Sequence, residues 1–87
     1  MNETHAQLIY RYFCKELANI RKNKNISQEE ASFELNISAS YLSRIENGKL
    51  KNFPFVMCIM MCDFYGVELE DVYKVAKNKM RLDQQYL

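Results

Sequence analysis

The residues able to do covalent or metal chemistry are few. Cys14, Cys58 and Cys62 are the only thiols, and His5 is the only imidazole. Cys58 and Cys62 are one helical turn apart, but a structural zinc site takes four ligands, and Cys14 and His5 are distant in sequence. Packing of the thiols in a core is the simpler reading. An odd number of cysteines argues against a disulfide framework and for a reducing cytoplasm. There is no Gly-rich phosphate loop and no visible pairing of a nucleophile with a base. Met57, Met60 and Met61 could line a small-molecule pocket, although core or interface packing is favoured. The expectation is therefore no enzyme, no metal and no cofactor. Recognition chemistry is better supported. Ala39, Ser40, Ser43, Arg44 and Asn47 fall on the outer side of a short helix whose inner side is Leu42 and Ile45. Small polar side chains let a helix enter a DNA major groove about 12 Å wide, and the Arg44 fork suits guanine O6 and N7. Ser40 and Ser43 are short donors for bases or phosphates. Ser27 and Gln28, opening the preceding helix, can present a helix N-terminus to a phosphate. Asn47, Lys49 and Lys51 would meet the backbone beyond. The competing reading is a set of ordinary solvated side chains on a helical bundle.

Helices must hold these groups in place. From Thr4 to Asn23 the apolar residues Ile9, Phe13, Leu17 and Ile20 form one stripe at helical spacing. Ser27-Gln-Glu-Glu30 is a capping box that opens a second, short helix with Ala31 and Leu35 inward. Asn36 tolerates the left-handed conformation that ends helices, and Ser38 caps a third helix two residues later. Two helices joined by Asn36-Ile37-Ser38 must cross sharply, with Ile37 plugging the corner. Gly48 ends the third helix, Lys49 to Phe53 is a basic loop, and Pro54 suits the first turn of a fourth helix. Phe55, Cys58, Ile59, Cys62 and Tyr65 are its expected inner face, yet Val56, Met57, Met60, Met61 and Phe64 make it apolar nearly all round. Such a helix is either central or covered by a partner. After Gly66 a fifth helix runs from about Glu68 with Leu69, Val72, Tyr73 and Ala76 inward. The tail, LDQQYL, is expected to fray.

Eighty-seven residues suit a single domain. With 48% hydrophobic residues, two Gly and one Pro, collagen-like, low-complexity and strongly disordered classes are excluded. No apolar run approaches the roughly 18 residues of a membrane span, and the N-terminus lacks the pattern of a signal peptide. A net charge of +1 does not announce a nucleic-acid binder. The charge is segregated, however. Residues 44–51 hold Arg44, Lys49 and Lys51 against Glu46 alone, while acids gather at Glu29, Glu30 and Glu34 and from Asp63 to Asp71. A dipolar molecule can bind DNA through one face, with weaker nonspecific affinity than a uniformly basic one.

Leu17, Ile20 and Arg21 on the first helix, Ile26-Ser27-Gln28-Glu29-Glu30 opening the second, Ser38 opening the third and the run Tyr41-Leu-Ser-Arg-Ile-Glu-Asn-Gly-Lys49 together resemble the helix-turn-helix of the Cro and lambda-repressor family, the XRE family. The likeness extends more loosely from about residue 13 to 73. Residues 1–12 would lengthen the first helix of a single helix-turn-helix domain, and 74–87 the fifth helix and tail. Three positions depart from the family pattern: Ala31 where Leu is usual, Asn36 for the turn Gly, and Phe33 at a polar position. The resemblance implies an all-α, five-helix bundle of the lambda-repressor-like type. It also implies a sequence-specific double-stranded DNA-binding transcriptional regulator, a homodimer on a palindromic operator, with residues 39–47 as the recognition helix. Ala39, Ser40, Ser43 and Arg44 would contact bases, and Ser27, Gln28, Asn47, Lys49 and Lys51 phosphates. Arg21 would pair with Glu46, as in family members. Spare apolar surface on Met57, Met60, Met61, Phe64, Tyr73, Val75, Met80 and Leu82 would form the dimer interface, whereas Phe33 would pack against the N-terminal part of the first helix. In some relatives the second helix touches RNA polymerase, a role open here to Glu29, Glu30 and Glu34. The alternative is a protein-interaction or antitoxin-like module with weak or lost DNA binding.

Overall fold

The computed structural model describes residues 3–85, which form five α-helices. These are α1 (His5–Asn23), α2 (Gln28–Glu34), α3 (Ala39–Glu46), α4 (Phe55–Tyr65) and α5 (Leu69–Gln85). Most boundaries have a local cause. Thr4 Oγ1 accepts from the Gln7 amide while the Gln7 side chain accepts from the Thr4 amide, a reciprocal cap. Ser27 and Ser38 each accept from an amide three residues on, Glu30 and Tyr41, at 3.0 Å. Asn25 and Asn36 sit at φ 59° and 57°, in the left-handed region that asparagine tolerates, and so turn the chain between α1 and α2 and between α2 and α3. Pro54 precedes α4, and Gly66 at φ 70° ends it.

α1 packs against α3, α4 and α5, α2 against α3, and α4 against α5. Phe13 and Leu17 from α1, Ala31 and Leu35 at α2, Leu42 and Ile45 from α3, and Val72 and Ala76 from α5 enclose Cys58, Met61, Cys62 and Tyr65 of α4. Two polar ties hold α5 to α1: Lys79 Nζ lies 2.6 Å from Glu16 Oε1, and the Tyr12 hydroxyl donates to Asp83.

Several expectations are corrected. The buried face of α4 is Cys58, Met61, Cys62 and Tyr65, so Phe55 and Ile59 are exposed together with Val56 and Met60. On α5 the inner residues are Val72, Ala76 and Met80, and Tyr73 is 42% exposed. Met61 and Met80 are thus core side chains, at 0% and 2% exposure, and are unavailable to the interface expected of them. Met57 and Phe64 are half-buried against the core, whereas Met60, Tyr73, Val75 and Leu82 are exposed. Phe33 does not reach α1. It is 82% exposed, because α2 is short and buries only Ala31 and Ser32. The tail is helical through Gln85; Tyr86 and Leu87 lie outside the described residues.

Tyr65 is 1% exposed, and its hydroxyl has no hydrogen-bond partner among the described residues. Burial pushes its phenol up to about 12. An unpaired buried hydroxyl contributes nothing favourable. Tyr65→Phe, which keeps the ring, should leave stability unchanged or raise it by up to about 1 kcal/mol in urea unfolding. A loss of that size would show the hydroxyl to be bonded.

Candidate nucleic-acid interface

α2 and α3 are joined by a tight corner in which the Ile37 amide donates to the Ser32 carbonyl at 2.9 Å. Ile37 is half-buried against the core there. α3 buries Leu42, Ile45 and Glu46 and leaves Ser40 and Arg44 exposed, with Ala39 and Ser43 half-buried at the edges of the same outer side. The Arg44 guanidinium has no partner among the described residues. The exposed Asn47 caps α3, and its amide donates to the Ser43 carbonyl at 2.8 Å and Oγ at 3.3 Å. Gly48 then turns at φ 65°, and the Lys49 amide closes on the Arg44 carbonyl at 2.9 Å.

The exposed Lys49 and Lys51 follow on the loop. α1 steadies that loop: the Tyr10 hydroxyl donates to the Leu50 carbonyl at 3.1 Å, and its ring packs tilted on Phe53 with centroids 6.3 Å apart. The sequence reading missed Tyr10, because a contact between residues forty apart leaves no trace in local spacing.

Behind the exposed face is a buried charge network. Arg21 Nε and Nη2 donate to Glu46 Oε2 and Oε1 at 2.7 and 3.0 Å, and both side chains are buried. Arg21 Nη1 donates to the Ile26 carbonyl at 2.8 Å, and Gln28 Nε2 to Glu46 Oε1 at 2.9 Å. Four segments meet in it: α1, the α1–α2 turn, α2 and α3. The Arg21 guanidinium is held more firmly protonated than usual, chiefly by its hydrogen bonds to Glu46 and against the opposing effect of burial. Gln28 was expected to face a phosphate. Its amide gives one N–H to Glu46, and its carbonyl and second N–H remain for other partners. Ser27, with its hydroxyl accepting from Glu30, keeps a free O–H on the exposed start of α2.

Among the described residues no group of His, Cys, Asp or Glu is placed to hold a metal ion. Cys14, Cys58 and Cys62 are free and buried. Among the described residues no helix is long and apolar enough to cross a membrane.

A family model described as helix-turn-helix matches residues 17–72, from the middle of α1 into α5. The chain belongs to the XRE-type helix-turn-helix family. The match covers both helices of the motif, the Arg21–Glu46 network and the loop with Lys49 and Lys51. No curated protein matches the sequence. Among solved structures, the helix-turn-helix chain is similar to the clp gene regulator ClgR from Corynebacterium glutamicum, with a TM-score of 0.83 at 24% identity over 91% of this chain and 83% of that one. At that identity the likeness speaks for the fold alone.

Proposed function

We propose that the protein is a cytoplasmic, non-enzymatic transcriptional regulator that binds double-stranded DNA sequence-specifically as a homodimer on a palindromic operator. The observation that carries this reading is the outer side of α3. Ser40 and Arg44 are exposed on a helix fixed in a helix-turn-helix, and among the described residues no side chain occupies the Arg44 guanidinium. Ala39, Ser40, Ser43 and Arg44 then read bases, while Ser27, Gln28, Asn47, Lys49 and Lys51 hold phosphates on either side. The name of the similar structure, a gene regulator, also supports regulation. A two-fold dimer sets its recognition helices about one DNA turn apart, roughly 34 Å, so half-site centres should be about 10–11 base pairs apart. The test is selection of bound fragments from the source genome at low and at high salt. Recovery of one palindromic motif supports the reading. Absence of salt-sensitive binding at micromolar protein supports an interaction module instead.

For the dimer, Met60, Tyr73, Val75 and Leu82 remain from the expected set. The exposed Phe55, Val56 and Ile59 join Met60 on α4. Unpartnered apolar surface of this kind favours a protein contact. Ile59→Glu, on an already exposed position, should leave thermal stability near the parent and convert a dimer to a monomer in sedimentation. A parent that sediments as a monomer, with and without DNA, defeats the dimer proposal. Phe33, exposed beside Glu29, Glu30 and Glu34, supports a second contact on α2, for which RNA polymerase is the partner that the resemblance suggests.

A further inference from the structure

Two shallow grooves meet at Arg11, a residue of α1 outside the family-matched region. One, of about 430 Å³, lies between α1 and the loop after α3 and is walled by Arg11, Gly48, Lys49 and Lys51. The other, of about 380 Å³, runs past Arg11, Lys15 and Lys22 to Gln28 and Asn47. α1 and the turn after α3 come close at this point. A Cβ added to Gly48 would stand 3.5 Å from both Cα and Cγ of Arg11. Lys22, Lys15 and Arg11 border one groove, and Arg11, Lys49 and Lys51 the other, so five cations line two grooves that share Arg11. Among the described residues the four lysines form no ion pair. Of the two acids that border the grooves, Glu46 is taken by Arg21 and Gln28. Arg11 is different: its Nε and Nη2 donate to Glu3 Oε2 and Oε1 at 3.1 and 3.2 Å, in the open, with side chains 50% and 38% exposed.

We propose that the α1 side of these grooves, Arg11 with Lys15 and Lys22, is an additional site for DNA phosphates flanking the operator, and that Glu3 occupies the Arg11 position until a phosphate displaces it. The inference rests on the DNA-binding reading above. A guanidinium fork presents the same bidentate geometry to a carboxylate as to a phosphate, so Glu3 is a stand-in of the right shape and charge. An exposed ion pair is weak, and the exchange is correspondingly easy. Three cations spaced along α1, next to the Lys49 and Lys51 already assigned to phosphates, match the repeating charge of a duplex backbone better than a single small anion.

The test uses the full chain and a random-sequence duplex, because phosphate contacts are blind to sequence, and follows binding across a salt series. Arg11→Gln should weaken binding severalfold and reduce the slope of log K against log salt by about 0.9 per protomer, one phosphate contact. Glu3→Gln should tighten binding about two- to fivefold, the range set by one exposed ion pair. In the Arg11→Gln background, Glu3→Gln should do nothing, since its effect runs through Arg11. Trimming the duplex to the recognition-helix contacts should erase the Arg11 effect. A parental slope for Arg11→Gln overturns the proposal, and so does a Glu3→Gln gain that persists without Arg11. Lys49→Ala separates the two levels. If it lowers the slope while Arg11→Gln does not, only the flanking site fails. If no duplex binds at all, the DNA-binding reading fails with it.

Discussion

Glu46→Gln should lower the melting temperature by more than about 10 °C. The carboxylate accepts from both Arg21 Nε and Nη2 and from Gln28, and Arg21 and Glu46 are 6% and 7% exposed. Removing one partner leaves the other charge buried without compensation, at a cost of about 3–5 kcal/mol. The whole stability of a chain of 87 residues is about 4–13 kcal/mol. A domain of this size loses about 4–8 °C per kcal/mol, which sets the expected shift. The damage should be local in origin, because the network joins α1, α2 and α3. A double replacement by apolar residues, Arg21→Met with Glu46→Leu, removes both charges and should recover most of the loss. Differential scanning calorimetry on the three proteins decides it. A Glu46→Gln chain that melts within a degree or two of the parent would show that the pair carries little of the stability.

Arg44→Ala should reduce operator affinity by about 1–3 kcal/mol per half-site, about 5- to 150-fold each, and relax the preference at one base position. The basis is the exposed fork on α3, with no competing partner among the described residues. Lys49→Ala should behave differently. It should weaken every sequence alike and lower the salt slope by about one per half-site. Anisotropy titrations of each variant against the operator, single-base variants and random duplex separate the two patterns. If Arg44→Ala weakens all sequences equally, Arg44 grips a phosphate and the base-reading assignment is withdrawn.

Most helix boundaries are legible in the sequence because they are written locally. Ser27 and Ser38 cap, Asn36 turns left-handed, Pro54 opens and Gly66 closes, all within a few residues of the structure they cause. The outer side of α3 was legible for the same reason, since Leu42 and Ile45 fix which way the helix faces. The facing of α4 was not. Every candidate stripe on it is apolar, so hydrophobic spacing cannot choose between Ile59 and Met61; the neighbours α1 and α5 choose Met61. Met80 was assigned to a surface that the long α5 in fact presses against the core. The approach of Arg11 to Gly48 and the engagement of Gln28 by Glu46 depend on helices meeting at a distance in sequence. Spacing along one helix carries no record of such meetings.

The three buried cysteines have a consequence for the lifetime of the protein. Burial raises the Cys14 thiol to about 11 and the Cys58 thiol to about 12, and Cys62 is raised as well. Oxidants and alkylating reagents attack the thiolate, and an enclosed, protonated thiol offers them none. An opened chain exposes all three at once, with ordinary acidity. Any adduct then adds bulk to a core in which Cys14 has no free surface, and overpacking opposes refolding. In a reducing compartment, opening is a reversible excursion. Under oxidative stress the same excursion becomes a one-way exit, and the number of active molecules falls at a rate set by how often the bundle opens.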